Sequence, residues 1–261
     1  MEEKINYQIL IMENQDIFRY KNEYPLRNWE RVYEHLPNLK DKNILDLGCA
    51  VGDQAYDFEH LGAYVIGIDH NQDLISVASK QAPGSKFIRS EIEHIHPGLF
   101  GSIDAIWCSH TIGYLKDPKT LLNTWYDFLN PDGFFILIET TNLLNHDPVY
   151  SIYQEEIQNF YQKMEENEIY YFENGLHMDS ILNETSFKVV KTIELDDQEF
   201  TSDGGLCDKA TQAWKNRLNR AEAYQELFGP KFSSFKNDFL AMIRSSDHKS
   251  NCQVKFYLCQ K

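Results

Sequence analysis

The sequence predicts a doubly wound α/β fold on a mostly parallel sheet of seven strands. Three observations predict it. Apolar runs of roughly four to eight residues alternate with segments whose apolar residues recur at helical spacing. The first run, Ile44 to Leu47, leads into Gly48 and Gly52, where the chain turns sharply before a helix. Polar or acidic residues then close successive runs, at Asp69, Ser90-Glu91, Ser109 and Glu139, the edge at which open α/β sheets hold ligands.

The first unit is Asn43-Ile-Leu-Asp46-Leu-Gly48-Cys49-Ala50-Val51-Gly52-Asp53, followed by a helix from Gln54 to Leu61 that Gly62 ends. A strand, a glycine-rich turn and a helix N-terminus set bare backbone N–H groups against whatever binds there. The second strand, Tyr64-Val-Ile-Gly-Ile68, closes on Asp69, and a carboxylate there suits the two hydroxyls of a ribose. Together they form a nucleoside site. The spacing G-x-G-x-x-G is absent, because Cys-Ala-Val separates Gly48 from Gly52, which counts against a nicotinamide oxidoreductase.

These residues carry a resemblance. Ile44-Leu-Asp-Leu-Gly-Cys-Ala-Val-Gly52 resembles the first motif of the class I S-adenosylmethionine-dependent methyltransferases, and Ile66-Gly-Ile-Asp-His70 resembles their second. Ala50 stands where the family often has a glycine. The resemblance implies S-adenosylmethionine as cofactor, held by Asp46, Gly48, Cys49, Ala50, Gly52, Asp69 and His70. It also implies a last strand lying antiparallel beside the fifth and sixth. It covers Asn43 to Glu139 by motif and the rest only by order of elements.

Next come a helix over Asp73–Lys80, a stop at Pro83-Gly84 and a third strand, Lys86 to Arg89. By resemblance, Glu91 accepts from the adenine amino group and the Ile92 N–H meets a ring nitrogen, although the family residue is usually aspartate. His94 and His96 read as solvated loop residues without a completing metal ligand. The fourth strand, Ile103 to Cys108, resembles the family's fourth motif, so Ser109, His110 and Tyr114 face both cofactor and acceptor. A structural, hydrogen-bonded His110 is the alternative. A helix over Thr120–Leu129, a turn at Asn130-Pro-Asp-Gly133 and a fifth strand over Phe134–Ile138 follow. Glu139 ends that strand, where it receives a proton, holds a cationic substrate or satisfies backbone donors.

Before the first strand, Trp29, Val32, Tyr33 and Leu36 read as a helix packed across the sheet edge. The earlier Tyr7, Phe18, Arg19, Tyr20 and Tyr24 serve either as a lid over the cofactor or as plain packing. Beyond Glu139, residues 142–180 and 201–249 read as helical insertions with acidic faces and inward aromatics, around a helix at His177–Leu182 and a sixth strand at Phe187–Leu195. The seventh strand is Cys252–Cys259. Such long connections inside a compact domain are usually functional. The expectation is one domain over 1–261, capped by 1–40, with a small-molecule acceptor between the insertions.

Composition narrows the partners. A formal charge of −15 over 261 residues opposes nucleic acid and anionic membranes. No apolar run reaches membrane-spanning length, and the start Met1-Glu-Glu-Lys lacks a signal peptide's features. Five cysteines without Cys-x-x-Cys point to a reduced cytoplasm. The paired aspartates of metal-dependent O-methyltransferases are missing around Glu139-Thr-Thr-Asn142, so no metal is expected. His110, Glu139, His146 and His177 are the candidate bases. The main alternative is a non-catalytic S-adenosylmethionine-binding protein of the same fold. Acceptor identity and oligomeric state stay open.

Overall fold

A computed structural model describes residues 16–261. The strands are β1 (Asn43–Leu47), β2 (Tyr64–Asp69), β3 (Lys86–Arg89), β4 (Ile103–Ser109), β5 (Leu129–Thr141), β6 (His146–Asp147), β7 (Lys188–Leu195), β8 (Lys249–Ser250) and β9 (Gln253–Gln260). Seven of them form one sheet in the order β3-β2-β1-β4-β5-β9-β7. β9 runs antiparallel to both β5 and β7, and the other pairings are parallel. This is the expected doubly wound sheet with an antiparallel last strand. The strand order reverses between β1 and β4, which opens the crevice where such sheets bind ligands.

Helices cover both faces: α1 (residues 16–23), α2 (Trp29–Tyr33), α3 (Asp53–His60), α4 (Gln72–Gln81), α5 (Pro118–Tyr126), α6 (Val149–Glu166), α7 (Phe172–Leu176), α8 (Met178–Asn183), α9 (Asp208–Arg220), α10 (Gln225–Phe228) and α11 (Phe232–Met242). Alternation along the strands divides the core. Ile44, Trp107, Ile136 and Ile138 join one apolar cluster, while Leu45, Leu47, Ile106 and Leu137 join the other. The insertions extend the first cluster, since Trp214, Phe235 and Phe239 belong to it.

Several boundaries differ from expectation, each for a local reason. α5 starts at Pro118 because proline suits a first helical position and the Asp117 carboxylate accepts from the Thr120 N–H at 3.0 Å. It ends at Tyr126, and Leu129 already pairs with Ile103. The Asn130–Gly133 turn is an irregularity inside β5: the next pair is Ala105 with Phe134, and Asp132 sits at φ +62°. Glu139 does not end β5, which pairs with β9 as far as Thr141. Nor does α2 lie at the sheet edge. Trp29 and Tyr33 pack on Trp107 of the central strand β4, with ring centroids 6.2 and 6.4 Å away.

One element had no sequence signal. β6 and β8 form a two-stranded ribbon that pairs His146 with Ser250 and Asp147 with Lys249. It ties the start of the first insertion to the end of the second. At its root His146 and His248 are fully buried, with Nδ1 and Nε2 2.9 Å apart. Burial holds His146 down to about 3. His146 is therefore a structural histidine, packed edge-on against Trp214 and Phe239. His177 is exposed and lies 3.2 Å from Glu173.

Candidate active site

The glycine turn after β1 is built by β2. Gly48 and Cys49 both donate their N–H to Ile68 O, at 2.9 and 3.0 Å, so the turn is pinned to the neighbouring strand. Gly48, Ala50 and Gly52 all take left-handed backbone, at φ +77°, +45° and +81°. For Ala50 that conformation is strained, and strain of this kind gathers where a ligand or a close approach demands it. The glycines answer to neighbouring side chains. A Cβ on Gly48 would lie 2.4 Å from Thr111 Oγ1, and one on Gly52 2.9 Å from the Ala78 Cβ. The small residue at 48 thus makes room for Thr111 from the β4 loop.

Asp69 is the centre of the turn. It is buried; its Oδ2 accepts from Ala50 N at 3.0 Å and its Oδ1 from Asn71 N at 2.9 Å. Each oxygen keeps another lone-pair direction for a hydroxyl. Asn71 then caps α4, accepting from Asp73 and Leu74. His70 is exposed with Nδ1 3.6 Å from Asp69. Asp46, in β1, is 2 % exposed, and its Oδ2 has no hydrogen-bond partner among the described residues. Burial and then the Asp69 charge push it up to about 8. Cys49 is buried too, and burial raises its thiol well above the usual range. Across the crevice, Glu91 is exposed and precedes a single 3-10 turn, Ile92–His94, whose Ile92 side chain is buried.

The loop after β4 is held from three sides. Glu139 is 2 % exposed; its Oε2 accepts from Ile112 N at 3.1 Å and its Oε1 from Thr140 N at 2.8 Å. Burial pushes its carboxyl up to about 7, against these backbone hydrogen bonds. From the first insertion, Asn174 donates to the carbonyls of Ile112 and Leu115 at 3.1 and 2.7 Å, and Tyr171 N donates to Gly113 O. Tyr170 covers Gly113 so closely that a Cβ there would lie 2.3 Å from its hydroxyl. Its ring meets Tyr114 edge-on at 4.9 Å. Tyr114 is 57 % exposed, while the Ser109 hydroxyl is buried without a partner among the described residues.

His110 takes φ +51°, donates its N–H to Ile138 O at 2.8 Å, and places Nδ1 3.0 Å from Thr140 Oγ1. Its Nε2 is buried without a partner among the described residues. Burial, with Arg27 and Arg217 nearby, holds it down to about 3, so the ring is neutral at neutral pH. Above it lies an ion network that sequence reasoning missed. Arg27 reaches Asp197 at 3.1 Å and the fully buried Glu199 at 2.9 Å, and Arg217 reaches Glu199 at 2.9 Å. Residues 172 and 18 positions apart meet here, and no local pattern could have paired them. α1 lies over the crevice. Burial raises the Tyr20 phenol far above its usual range, with Arg19, Tyr114 and Asp69 among its charged neighbours. Tyr7 lies outside the described residues.

The turn fits a nucleoside carrying a cation: hydroxyl-accepting oxygens on Asp69, and in Asp46 a buried carboxyl with an unpartnered oxygen. Residues 45–137 match the family described as a methyltransferase domain. Over these residues the chain resembles the class I methyltransferases. It is 29 % identical over 111 residues to the mitochondrial ubiquinone biosynthesis O-methyltransferase of Schizosaccharomyces pombe, covering 41 % of this chain and 40 % of that protein. With the ubiquinone biosynthesis O-methyltransferase of Acinetobacter baylyi the identity is 28 % over 115 residues, covering 42 % and 48 %. The chain thus spans less than half the length of these curated relatives. Its fold also resembles Haemonchus contortus phosphoethanolamine N-methyltransferase 2 in complex with S-adenosyl-L-methionine (TM-score 0.57, 15 % identity, 95 % of this chain and 56 % of that one). A second similar structure is the [4+2]-cyclase SpnF (TM-score 0.56, 11 % identity, 89 % and 78 %). Among the described residues, no group of three His, Cys, Asp or Glu could hold a metal ion, and no helix is long and apolar enough to cross a membrane.

Proposed function

We propose that this methyltransferase transfers a methyl group from S-adenosylmethionine to an oxygen or nitrogen of a small organic acceptor. The observation that carries the reading is Asp69, buried at the tip of β2 with Ala50 and Asn71 donating to it. The O-methyltransferase relatives support the chemistry. S-adenosylmethionine would supply an electrophilic methyl on a sulfonium. This chain's residues do the rest.

Asp69 accepts from the ribose hydroxyls, and Glu91 and the Ile92 N–H meet the adenine edge. Asp46 lies where a cationic ligand would favour its charged form. Ser109, His110 and Tyr114 border the acceptor side. Of the two candidate proton carriers, Glu139 titrates near neutrality and suits a base, while neutral His110 serves as a hydrogen-bonding partner. The acceptor's proton would pass to Glu139 while its oxygen or nitrogen bonds the methyl carbon and the carbon–sulfur bond breaks, with S-adenosylhomocysteine as leaving group. Held reactants and excluded water supply the rate enhancement. A second reading, cofactor binding without methyl transfer, is favoured by one finding: a cyclase shares the fold.

Calorimetric titration with S-adenosylhomocysteine tests the cofactor site. Asp69→Ala should weaken binding by on the order of 2–4 kcal/mol, the loss of two charge-assisted hydrogen bonds. An unchanged dissociation constant would remove Asp69 from the site. Turnover of labelled S-adenosylmethionine on a catechol and amine panel separates catalysis from binding alone.

A further inference from the structure

Four of the chain's seven arginines, Arg19, Arg27, Arg217 and Arg220, converge above the β4 loop of a protein whose net charge is −15. Two come from the segment before β1 and two from α9. Among the described residues the buried anions facing them number three. Glu23 serves three arginines at once, with Arg217 at 3.2 Å, Arg220 at 3.4 Å and Arg27 at 3.9 Å. Glu199 is shared by Arg27 and Arg217, and Asp197 faces Arg27 while also accepting the N–H groups of Glu199 and Phe200. Asp16, 3.5 Å from Arg19, has a side chain 38 % exposed.

Positive charge is therefore concentrated at one corner. Arg27 is matched by Asp197 and Glu199. Arg217 shares Glu199 and Glu23, which leaves Arg220 with Glu23 at 3.4 Å and Arg19 with the half-exposed Asp16 at 3.5 Å. Arg19 has a buried Nε without a hydrogen-bond partner among the described residues, and its guanidinium lies 4.0 Å from the Tyr20 ring centroid. Arg220 is held below its ordinary value by burial and then by Arg19 and Arg217. Tyr114, largely exposed, lies in the field of both Arg19 and Arg217. So the cationic corner lies beside the loop next to which the reactive methyl would lie.

We propose that the methyl acceptor carries an anionic group, a carboxylate or a phosphate, that docks on Arg19 and Arg220 beside Tyr114. This rests on the methyl-transfer reading above. Guanidinium groups recognise such anions through paired N–H donors, and partial burial strengthens the interaction. A purely structural latch would hold every arginine as closely as Arg27 and Arg217 are held, whereas among the described residues Arg19 and Arg220 keep spare N–H donors.

The test uses the full chain saturated with S-adenosylhomocysteine, titrated calorimetrically with inorganic phosphate and separately with benzoate, at ionic strength fixed with chloride. Saturable binding of phosphate, benzoate or both is expected, and the two arms tell which anion the corner takes. Arg220→Gln should weaken that binding about tenfold or more, and Arg220→Lys should recover part of it. Affinity for S-adenosylhomocysteine and thermal unfolding should be unchanged in both variants. Anion binding that is absent, non-saturable or equal in wild type and Arg220→Gln overturns the assignment and leaves the methyl-transfer reading standing. Failure of S-adenosylhomocysteine to bind overturns that reading, and with it the placing of an acceptor at this corner.

Discussion

Asp46→Asn should flatten the pH dependence of stability above neutrality. The wild-type carboxyl is buried and pushed up to about 8, whereas in the unfolded chain it titrates in the ordinary carboxylate range of about 4. Between those values the folded state binds a proton that the unfolded state does not, so stability falls as pH rises, by about 1.4 kcal/mol per unit. From pH 6.5 to 8 the loss through Asp46 is about 1.6 kcal/mol. Glu139, pushed up to about 7, loses about 0.8 kcal/mol over the same range. Wild type should therefore lose about 1.6 kcal/mol more than Asp46→Asn over this range, since the Glu139 and histidine contributions are common to both. The buried histidines His110 and His146, both held down to about 3, stay neutral in this window. Their unfolded forms titrate near 6.5, so as pH rises from 6.5 to 8 the two together return about 0.8 kcal/mol, because only the unfolded state takes the proton there. Urea unfolding at pH 6.5 and 8.0 without ligand measures the difference. If Asp46→Asn keeps the full wild-type loss, the buried carboxyl at position 46 is not the group responsible.

Two further substitutions probe the packing that sets the site. Gly67→Ala should destabilise by about 1–3 kcal/mol, because its Cβ would lie 2.6 Å from Phe87 Cδ1 and 2.9 Å from Cys49 Sγ; thermal unfolding checks it, and a neutral effect would mean β2 and β3 have room to part. Glu199→Gln should cost on the order of 3–5 kcal/mol, since Arg27 and Arg217 would lose their shared buried carboxylate. Urea unfolding with limited proteolysis should show both the loss and faster cleavage before residue 28, and an unaltered cleavage rate would mean the network does not hold that segment down.

The candidate site was legible in the sequence where its residues lie in local order. A strand, a turn and a helix start lie within eleven consecutive residues, Asn43 to Asp53, so the first cradle is written in adjacent letters. Asp69 was legible because a strand's last residue has a fixed place at the sheet edge. The order of elements likewise gave the sheet, and the family resemblance implied its antiparallel β9. What the sequence alone could not determine depends on side chains that meet across long separations. That Gly48 answers to Thr111, that Glu139 and Asn174 both grip one loop, and that His146 is buried against His248 are contacts between residues 27 to 102 positions apart. Burial decided the chemistry as well: Glu139 and His110 are ordinary titratable residues as letters, and only their removal from water moves one up to about 7 and the other down to about 3. Periodicity marked the insertions as amphipathic, but the meeting of Arg27 with Glu199 and Arg217 over the active-site crevice was set by tertiary packing, because charges carry no register of their own until the elements bearing them are docked.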